Sequence, residues 1–343
     1  MKIVEPDFSA LRPDIVRDGV KEMLSCFTEG EQTVVKINSS SLAILLSCGR
    51  KSYYALHREL RSRNESPALL FGTAIHKALE VFYSYPREAR TIPIKFIECS
   101  DQMSFGHPAP DDHFLYKSIA AFVDAGKQLQ GLPSTDKRSI PNGIWTLQHY
   151  FKTYINDVYE IHSDASGHLT ERKCQCTLYE DAKLKVILHG QIDLVLKDTI
   201  RGNILPGDHK TTSQLGQGFF QKVKPNHQYS GYLYLAQQVL GIDSNEFLVN
   251  ALQIKPRPKT ARGSDPHFAR QITTRSPEDM LEFKEAVMWA VRSYLFWRDS
   301  NSWPIGHVNE CTAFGGCQFL EVCAAPSVIR ESILENKFVG DKH

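Results

Sequence analysis

The sequence predicts an α/β fold built around one strand pair, with helices on either side, a helical insertion and a C-terminal cysteine-rich tail. The run Leu184 to Lys197 partly alternates. Leu184, Val186, Leu188, Ile192, Leu194 and Leu196 fall on one face, which is the period-two mark of a half-buried strand. Asp198, Gly202 and Asn203 suit a turn, and a second strand resumes at Ile204. Apolar residues at three- and four-residue spacing flank this hairpin on both sides, at Phe71, Ile75, Ala78, Leu79 and Phe82, and again at Tyr229, Leu233, Ala236 and Leu240. Such stripes are the buried faces of helices.

The chain as a whole narrows the function classes. It has 343 residues, of which 42% are hydrophobic and 23% charged, the composition of an ordinary globular protein. No apolar run approaches the roughly eighteen residues of a membrane span. The N-terminus, Met1-Lys2-Ile3-Val4-Glu5-Pro6-Asp7, has no signal-peptide pattern, so a cytoplasmic protein with no membrane partner is expected. The net charge is +1, and any nucleic-acid footprint is therefore local rather than global. The eight cysteines read as thiols or metal ligands before disulfides. There is no Gly-x4-Gly-Lys-Ser/Thr loop, which excludes an ATP-driven motor and a nucleotide cofactor of that kind.

In chain order, residues 1–38 read as a leader with a short helix around Ile15 to Phe27. Ser39-Ser40-Ser41-Leu42 opens a helix that Ser40 or Ser41 caps, with Leu42, Leu45 and Leu46 on its buried face. Cys48 follows, then Arg50, Lys51, Arg58, Arg61 and Arg63 beside Tyr53 and Tyr54. These charges form either a solvated face or a set of phosphate contacts. Pro67 begins the next helix, with His76 on the flank of its apolar stripe and Gly72 and Glu80 one turn away. Residues 86–143 form the helical insertion, with Phe114 to Leu129 helical and Pro133 to Pro141 a loop. His107, Asp111, Asp112 and His113 read as a surface loop, with metal binding the alternative.

Trp145 to Ile161 has the stripe of a long helix, and a strand begins near Leu169. Glu171 stands ahead of the hairpin as a surface glutamate or an auxiliary carboxylate. Cys174 and Cys176 share a strand face and suit core packing. Asn226 to Leu240 is a helix that places Gln228 and Tyr232 together. Glu246 to Ile254 is a strand. The basic stretch Lys255, Arg257, Lys259, Arg262 and Arg270 is either an exposed tip or a DNA-backbone contact. Ser276-Pro277-Glu278-Asp279 is an N-cap with a first-turn proline, and its helix runs to about Arg298. The tail carries Cys311, Cys317 and Cys323 and little apolar content to dock it.

The chemistry concentrates in the hairpin. Asp193 lies off the apolar face of its strand, while Asp208 and Lys210 are two apart and point one way. Two carboxylates held close repel, and a divalent cation relieves this. Oxygen-rich ligation suits one or two Mg or Mn ions. The order Asp193, then Asp208-His209-Lys210, resembles the core of the PD-(D/E)XK nuclease superfamily. Gln228 to Tyr232 is similar to the Gln-x-x-x-Tyr motif of its RecB-like branch, and Gly72-Thr73-Ala74-Ile75-His76 to the His motif of that branch.

The resemblance implies a restriction-endonuclease-like central mixed β-sheet flanked by helices, forming a single domain over 39–343. It implies a metal-dependent DNA nuclease, expected to be an exonuclease acting on single-stranded DNA or a free end in recombination, repair or replication. The metal would be held by His76, Asp193, Asp208 and the backbone carbonyl of His209. Lys210 would serve as the catalytic cation, and Gln228, Tyr232, Arg50, Lys51, Lys255 and Arg257 would bind DNA. The alternative is a non-catalytic or partner-activated DNA-binding adaptor that keeps the fold and works with a recombination or replication protein. The likeness to phage-type single-domain exonucleases would make the location a host cytoplasm.

The tail spacing is not that of a zinc finger. One early cysteine and three late ones, Cys48 with Cys311, Cys317 and Cys323, are similar to the iron–sulfur staple of RecB-like nucleases, where four thiolates hold a 4Fe–4S cluster. The even spacing of the last three departs from the tighter pairs of some members, and zinc or plain thiols stay open. A staple across about 260 residues would restrain a loop-closure term of about 5 kcal/mol.

Overall fold

The computed structural model describes residues 23–63, 66–90, 113–165, 167–258, 264–312 and 316–340. In chain order its main elements are β1 (Leu24–Glu29), β2 (Gln32–Ile37), α1 (Ser39–Ser47), α2 (Pro67–Ser84), α3 (Phe114–Ala125), α4 (Ile140–Tyr154) and β3 (Tyr159–Ile161). Next come β4 (Thr170–Glu180), β5 (Leu184–Asp198), β6 (Ile204–Thr212), α5 (His227–Leu240), β7 (Glu246–Gln253), β8 (Phe268–Thr274), α6 (Pro277–Asp299) and α7 (Ser327–Lys337). Eight of these strands make one mixed sheet flanked by helices.

β5 is the strand on which the sheet turns. Its first part, Leu184–Leu188, runs parallel to β2, while β4 runs antiparallel along the other edge from Lys185 to Leu194. Beyond Leu194, β6 takes over the β2 edge and β3 the β4 edge. Residues 189–193 therefore carry a strand on one edge only, and the sheet forks there. β7 adds parallel to β6, and β8 antiparallel to β7.

Two layers of helices cover the sheet, and β7 shows the division. Its Phe247 and Val249 pack with Tyr229 and Leu233 of α5. Leu252, on the opposite pleat, joins the core that α2, α3 and α4 build around Phe71, Phe82, Phe122 and Phe151. α3 and α4, the described part of the expected insertion, thus belong to a full hydrophobic core. The close packing there requires a glycine: a Cβ on Gly143 would lie 2.0 Å from Cζ of Phe122.

Several local expectations differ from the structure. The described end of the expected helix around Ile15 to Phe27 is strand β1, which pairs with β2 from Leu24 to Glu29 through a turn at Gly30 (φ +60°). Residues 24–37, assigned to the leader on sequence grounds, are edge strands of the main sheet. Long-range pairing outweighs local propensity here. α1 is capped by Asn38 rather than by Ser40 or Ser41. The Asn38 carboxamide accepts from the Ser41 amide, and the Ser41 hydroxyl accepts from the Asn38 amide, a reciprocal capping box. The helix expected at Trp145 to Ile161 starts earlier, at Ile140 with Pro141 in its first turn, and ends at Tyr154. Asp157 then turns the chain by accepting from the Tyr159 amide. His107, Asp111 and Asp112 lie outside the described residues. His113 caps α3, its Nδ1 accepting from the Leu115 amide.

The tail also departs from expectation, because it brings its own apolar core. Tyr54, Phe319, Val322, Leu334 and Phe338 are buried together. Phe338–Val339 pairs antiparallel with Arg61–Ser62, and Arg58 makes a two-pronged ion pair with Glu331. Among the described residues no helix is long and apolar enough to cross a membrane.

Candidate metal centre

The fork in the sheet sets the site. Along β5, Val186, Leu188, Ile192 and Val195 pack with α5 and α6. Leu194 and Leu196 instead join Leu205 and Leu248 in a separate cluster. The alternation slips between Ile192 and Val195, so the single apolar face read along Leu184 to Leu196 is two faces, and Asp193 sits at the slip. Opposite it, Thr170 pairs with Leu194 and Arg172 with Ile192, but no pair joins Glu171 to Asp193. Glu171 holds φ +50°, a strained backbone for a residue with a side chain. On the α5 side, Gly190 admits the helix closely: a Cβ there would meet Leu235 at 3.0 Å and Tyr232 at 3.4 Å.

β6 supplies the second carboxylate. Asp208 is 1% exposed in its side chain, and its Oδ2 forms an ion pair with Nζ of Lys210. α2 supplies the imidazole. Ser66 caps it and Pro67 opens it, and its buried stripe turns His76 towards β5 and β6. His76 Nδ1 lies 3.2 Å from Oδ2 of Asp193, and Nε2 lies 2.6 Å from the His209 carbonyl oxygen. Ligand atoms of His76, Asp193 and Asp208 all fall within 4.8 Å of one another. Glu171 and Glu80 line the same small cavity as His76 and Asp193, and Gln191 donates to Glu171. A Cβ at Gly72 would make only ordinary contact with Thr211, at 3.6 Å.

Charge and burial shape these groups strongly. Burial alone would raise Asp193, but its hydrogen bond and charge contact with His76 reverse the sign and hold it below the usual carboxylate range. Asp208 is raised, first by burial and then by Asp193, with Lys210 opposing. Burial would lower the Lys210 ammonium, but Asp208 outweighs it and the group is raised. Burial likewise works against His76, and Asp193 leaves it raised. Glu171 is raised by burial, with Asp193 adding to it.

A cation fits this arrangement. Among the described residues Asp208 Oδ1 is buried without a hydrogen-bond donor, while Asp208 Oδ2 meets the Lys210 ammonium and Asp193 Oδ2 the His76 imidazole. Buried carboxylate oxygens without donors are costly unless a cation meets them. One imidazole, two carboxylates and a backbone carbonyl form a hard, oxygen-rich donor set of the kind Mg and Mn take.

The remaining sequence-derived residues divide. Gln228 donates to the Tyr232 hydroxyl at 3.1 Å. The Tyr232 hydroxyl is pushed up to about 12 by burial, with Asp208 and Asp193 adding to it, so this pair borders the centre. Tyr229, read only as core, also feels Lys210 and Asp208. None of the other four expected DNA contacts lines the cavity shared by His76, Glu171 and Asp193. Lys255 Nζ donates to Ser264, and the Arg257 amide donates to Asn142. Arg50 and Lys51 follow Cys48, whose Sγ accepts from the Lys51 amide.

Arg270, read as part of a basic loop, is instead a strand residue of β8 paired with the buried Asp157. Lys259 and Arg262 lie outside the described residues. The His209 ring stacks on Tyr83 at 5.7 Å, meets the His76 ring edge-on at 5.9 Å and lines the small cavity shared with His76 and Asp193. Burial pushes it well below its ordinary value, and the charge of His76 adds to this.

Cys48, Cys311, Cys317 and Cys323 are free thiols, each half-buried. Burial raises the Cys323 thiol; Arg50 opposes, and Cys317, Cys48 and Cys311 each raise it further. The four sulfurs are therefore one electrostatic neighbourhood. The chain from Pro304 to Gly306 closes over it: a Cβ on Gly306 would lie 2.3 Å from the Ser47 carbonyl, and the Gly306 amide donates to Cys48 Sγ at 3.2 Å. Cys174 and Cys176 are buried in the sheet core, as expected.

A family model described as the PD-(D/E)XK nuclease superfamily matches residues 36–324. The matched span holds His76, Asp193, Asp208, Lys210 and the four cysteines of the tail neighbourhood. No curated protein matches the chain.

Proposed function

Because this chain belongs to the PD-(D/E)XK nuclease superfamily, we propose that it hydrolyses DNA phosphodiester bonds with a divalent cation, as a cytoplasmic exonuclease of the RecB-like branch working in recombination, repair or replication. The observation that carries this reading is the convergence of His76, Asp193 and Asp208 within 4.8 Å. Those three side chains, with the His209 carbonyl, would hold Mg or Mn. When bound, the ion supplies Lewis acidity and offsets charge on the phosphate.

The chain's own residues do the rest. Lys210 presents an ammonium beside Asp208, where it orients the attacking water and stabilises negative charge growing on the phosphoryl oxygens. Gln228 and Tyr232, joined to each other, fix the strand against the site so that the scissile bond is in line. His209 engages Asn250 through its ring and offers its backbone carbonyl to the centre.

The test uses end-labelled linear single-stranded DNA and a circular strand of the same sequence, each with Mn(II). Labelled fragments from the linear strand alone are expected, and the labelled end reports polarity. Cleavage of the circle makes the enzyme an endonuclease. Silence on both moves the reading to a binding-only or partner-activated adaptor.

The four-cysteine neighbourhood supports a second part of the proposal, a 4Fe–4S cluster held by Cys48, Cys311, Cys317 and Cys323. Protein purified without oxygen should contain iron and sulfide and absorb visible light, and Cys323→Ser should lose all three. Because Phe319, Val322, Leu334 and Phe338 anchor the tail independently, that variant should still bind Mn(II) at the carboxylates. Colourless, iron-free parent protein would end the cluster assignment.

A further inference from the structure

We propose that the buried row of Asn250, Arg270 and Asp157 is a positioning network that sets the spacing of the metal centre, Asn250 fixing β6 through His209 and the Arg270–Asp157 pair fixing α2 through Tyr83. The inference rests on the metal-centre reading above.

Three strands bring the residues into one row. His209 of β6 is the parallel partner of Asn250 in β7, and Asn250 is the antiparallel partner of Arg270 in β8. The side chains repeat this row. Arg270 Nε donates to Asn250 Oδ1 at 3.2 Å. A guanidinium can only donate, so Arg270 fixes which end of the Asn250 carboxamide is oxygen. The amide nitrogen is then left facing His209 Nδ1 at 2.7 Å, and it donates to the Tyr150 hydroxyl at 2.6 Å as well. His209 Nδ1 must accept, which holds the ring in a single orientation. The His209 backbone, whose carbonyl meets His76, is held with it.

The same network seats α2. Tyr83 lies seven residues beyond His76, two turns along the same face. Its hydroxyl donates to Asp157 Oδ2 at 2.7 Å and accepts from Arg270 Nη2 at 2.5 Å. α2 is therefore tied to the sheet at two points, at His76 over β5 and β6 and at Tyr83 over β8. One small cavity is lined by Tyr83, Asp208, His209, Asn250 and Arg270 together, so the network directly adjoins the second carboxylate. A buried ion pair of this kind is not needed for stability and is often matched by apolar packing. What it provides here is a single seat for α2 and a single His209 orientation.

Asn250→Ala cuts the link to His209 and leaves Arg270, Asp157 and Tyr83 joined. Tyr83→Phe keeps the ring stack and removes the α2 tie. The full-length parent and both variants are titrated with MnCl2, reading free Mn(II) by electron paramagnetic resonance, and kcat and KM are measured on linear DNA. Weakening of Mn(II) binding by about 10- to 100-fold is expected for folded Asn250→Ala, as for other partners of metal ligands. kcat should fall at limiting Mn(II), with KM for DNA unchanged. A merely structural residue would reduce the amount of folded protein and leave the Mn(II) affinity of the remainder as it was. If Asn250→Ala does not fold, Tyr83→Phe decides alone. Folded variants that bind Mn(II) as tightly as the parent overturn the positioning role. A parent that binds no Mn(II) overturns the metal-centre reading itself, and this inference with it.

Discussion

Asp208→Ala should abolish DNA cleavage, lowering the rate roughly a thousandfold or more, while DNA binding and the fold survive. Asp208 is the most deeply buried of the three ligand-bearing side chains at the centre, at 1% exposure against 24% for His76 and 15% for Asp193. Its Oδ1 has no hydrogen-bond donor among the described residues and its Oδ2 meets the Lys210 ammonium, so the fold bears a desolvation cost that this ion pair only partly offsets. The substitution leaves Lys210 without its ion-pair partner, but that side chain is 30% exposed and can turn to water. Loss of the ion pair and relief of the carboxylate's desolvation oppose each other, so the melting temperature should change little. Side-by-side measurement of product formation, gel-shift affinity and thermal melting checks all three parts. Cleavage at the parent rate would remove Asp208 from the site.

Asp157→Ala should cost about 3–5 kcal/mol of folding free energy, the usual consequence of stranding one member of a buried ion pair. Asp157 is 3% exposed and Arg270 15% exposed in their side chains. The carboxylate takes two hydrogen bonds from Arg270, at 2.8 and 2.6 Å, one from Tyr83 and one from the Tyr159 amide. Removing it leaves a guanidinium enclosed by Tyr83, Tyr150 and Tyr154, with no carboxylate to meet it. The double variant Asp157→Leu with Arg270→Met should recover most of the loss, because neither charge then remains to be desolvated. Urea denaturation of the three proteins decides it; a single-variant loss below about 1 kcal/mol is what an exposed pair gives, and would show that water reaches this one.

Much of the site was legible because the chemistry lies close together in sequence. Asp208 and Lys210 share a strand, and the turn before them follows from Asp198, Gly202 and Asn203. The N-terminus of α6 was legible for the same reason: Ser276 and Asp279 cap each other within four residues. What was hidden depended on distant partners. The slip that turns Leu194 away from Ile192 follows from β4 and the strained Glu171, not from the apolar pattern of β5. The β1–β2 hairpin owes its form to pairing with β5 some 150 residues onward, from Thr33 opposite Leu184 to Ile37 opposite Leu188. Arg270 sits among prolines and basic residues and reads as surface; its partner Asp157 is 113 positions upstream, and only the row through Asn250 reveals it. Asn250 itself carries no sequence signal beyond being a polar residue in an apolar strand.

The tail's seat also orders events in time. Arg58 and Glu331 are 273 residues apart, and Ser62 waits for Phe338. A chain emerging from a ribosome has released His76, Asp193, Asp208 and Lys210 before Phe319, Leu334 or Phe338 exists to cover Tyr54. Contacts of such long sequence separation close late, and domains generally fold as their segments emerge. The carboxylate centre can thus be assembled in a nascent chain whose cysteine neighbourhood is still open, and the docking of Phe338–Val339 on Arg61–Ser62 follows it.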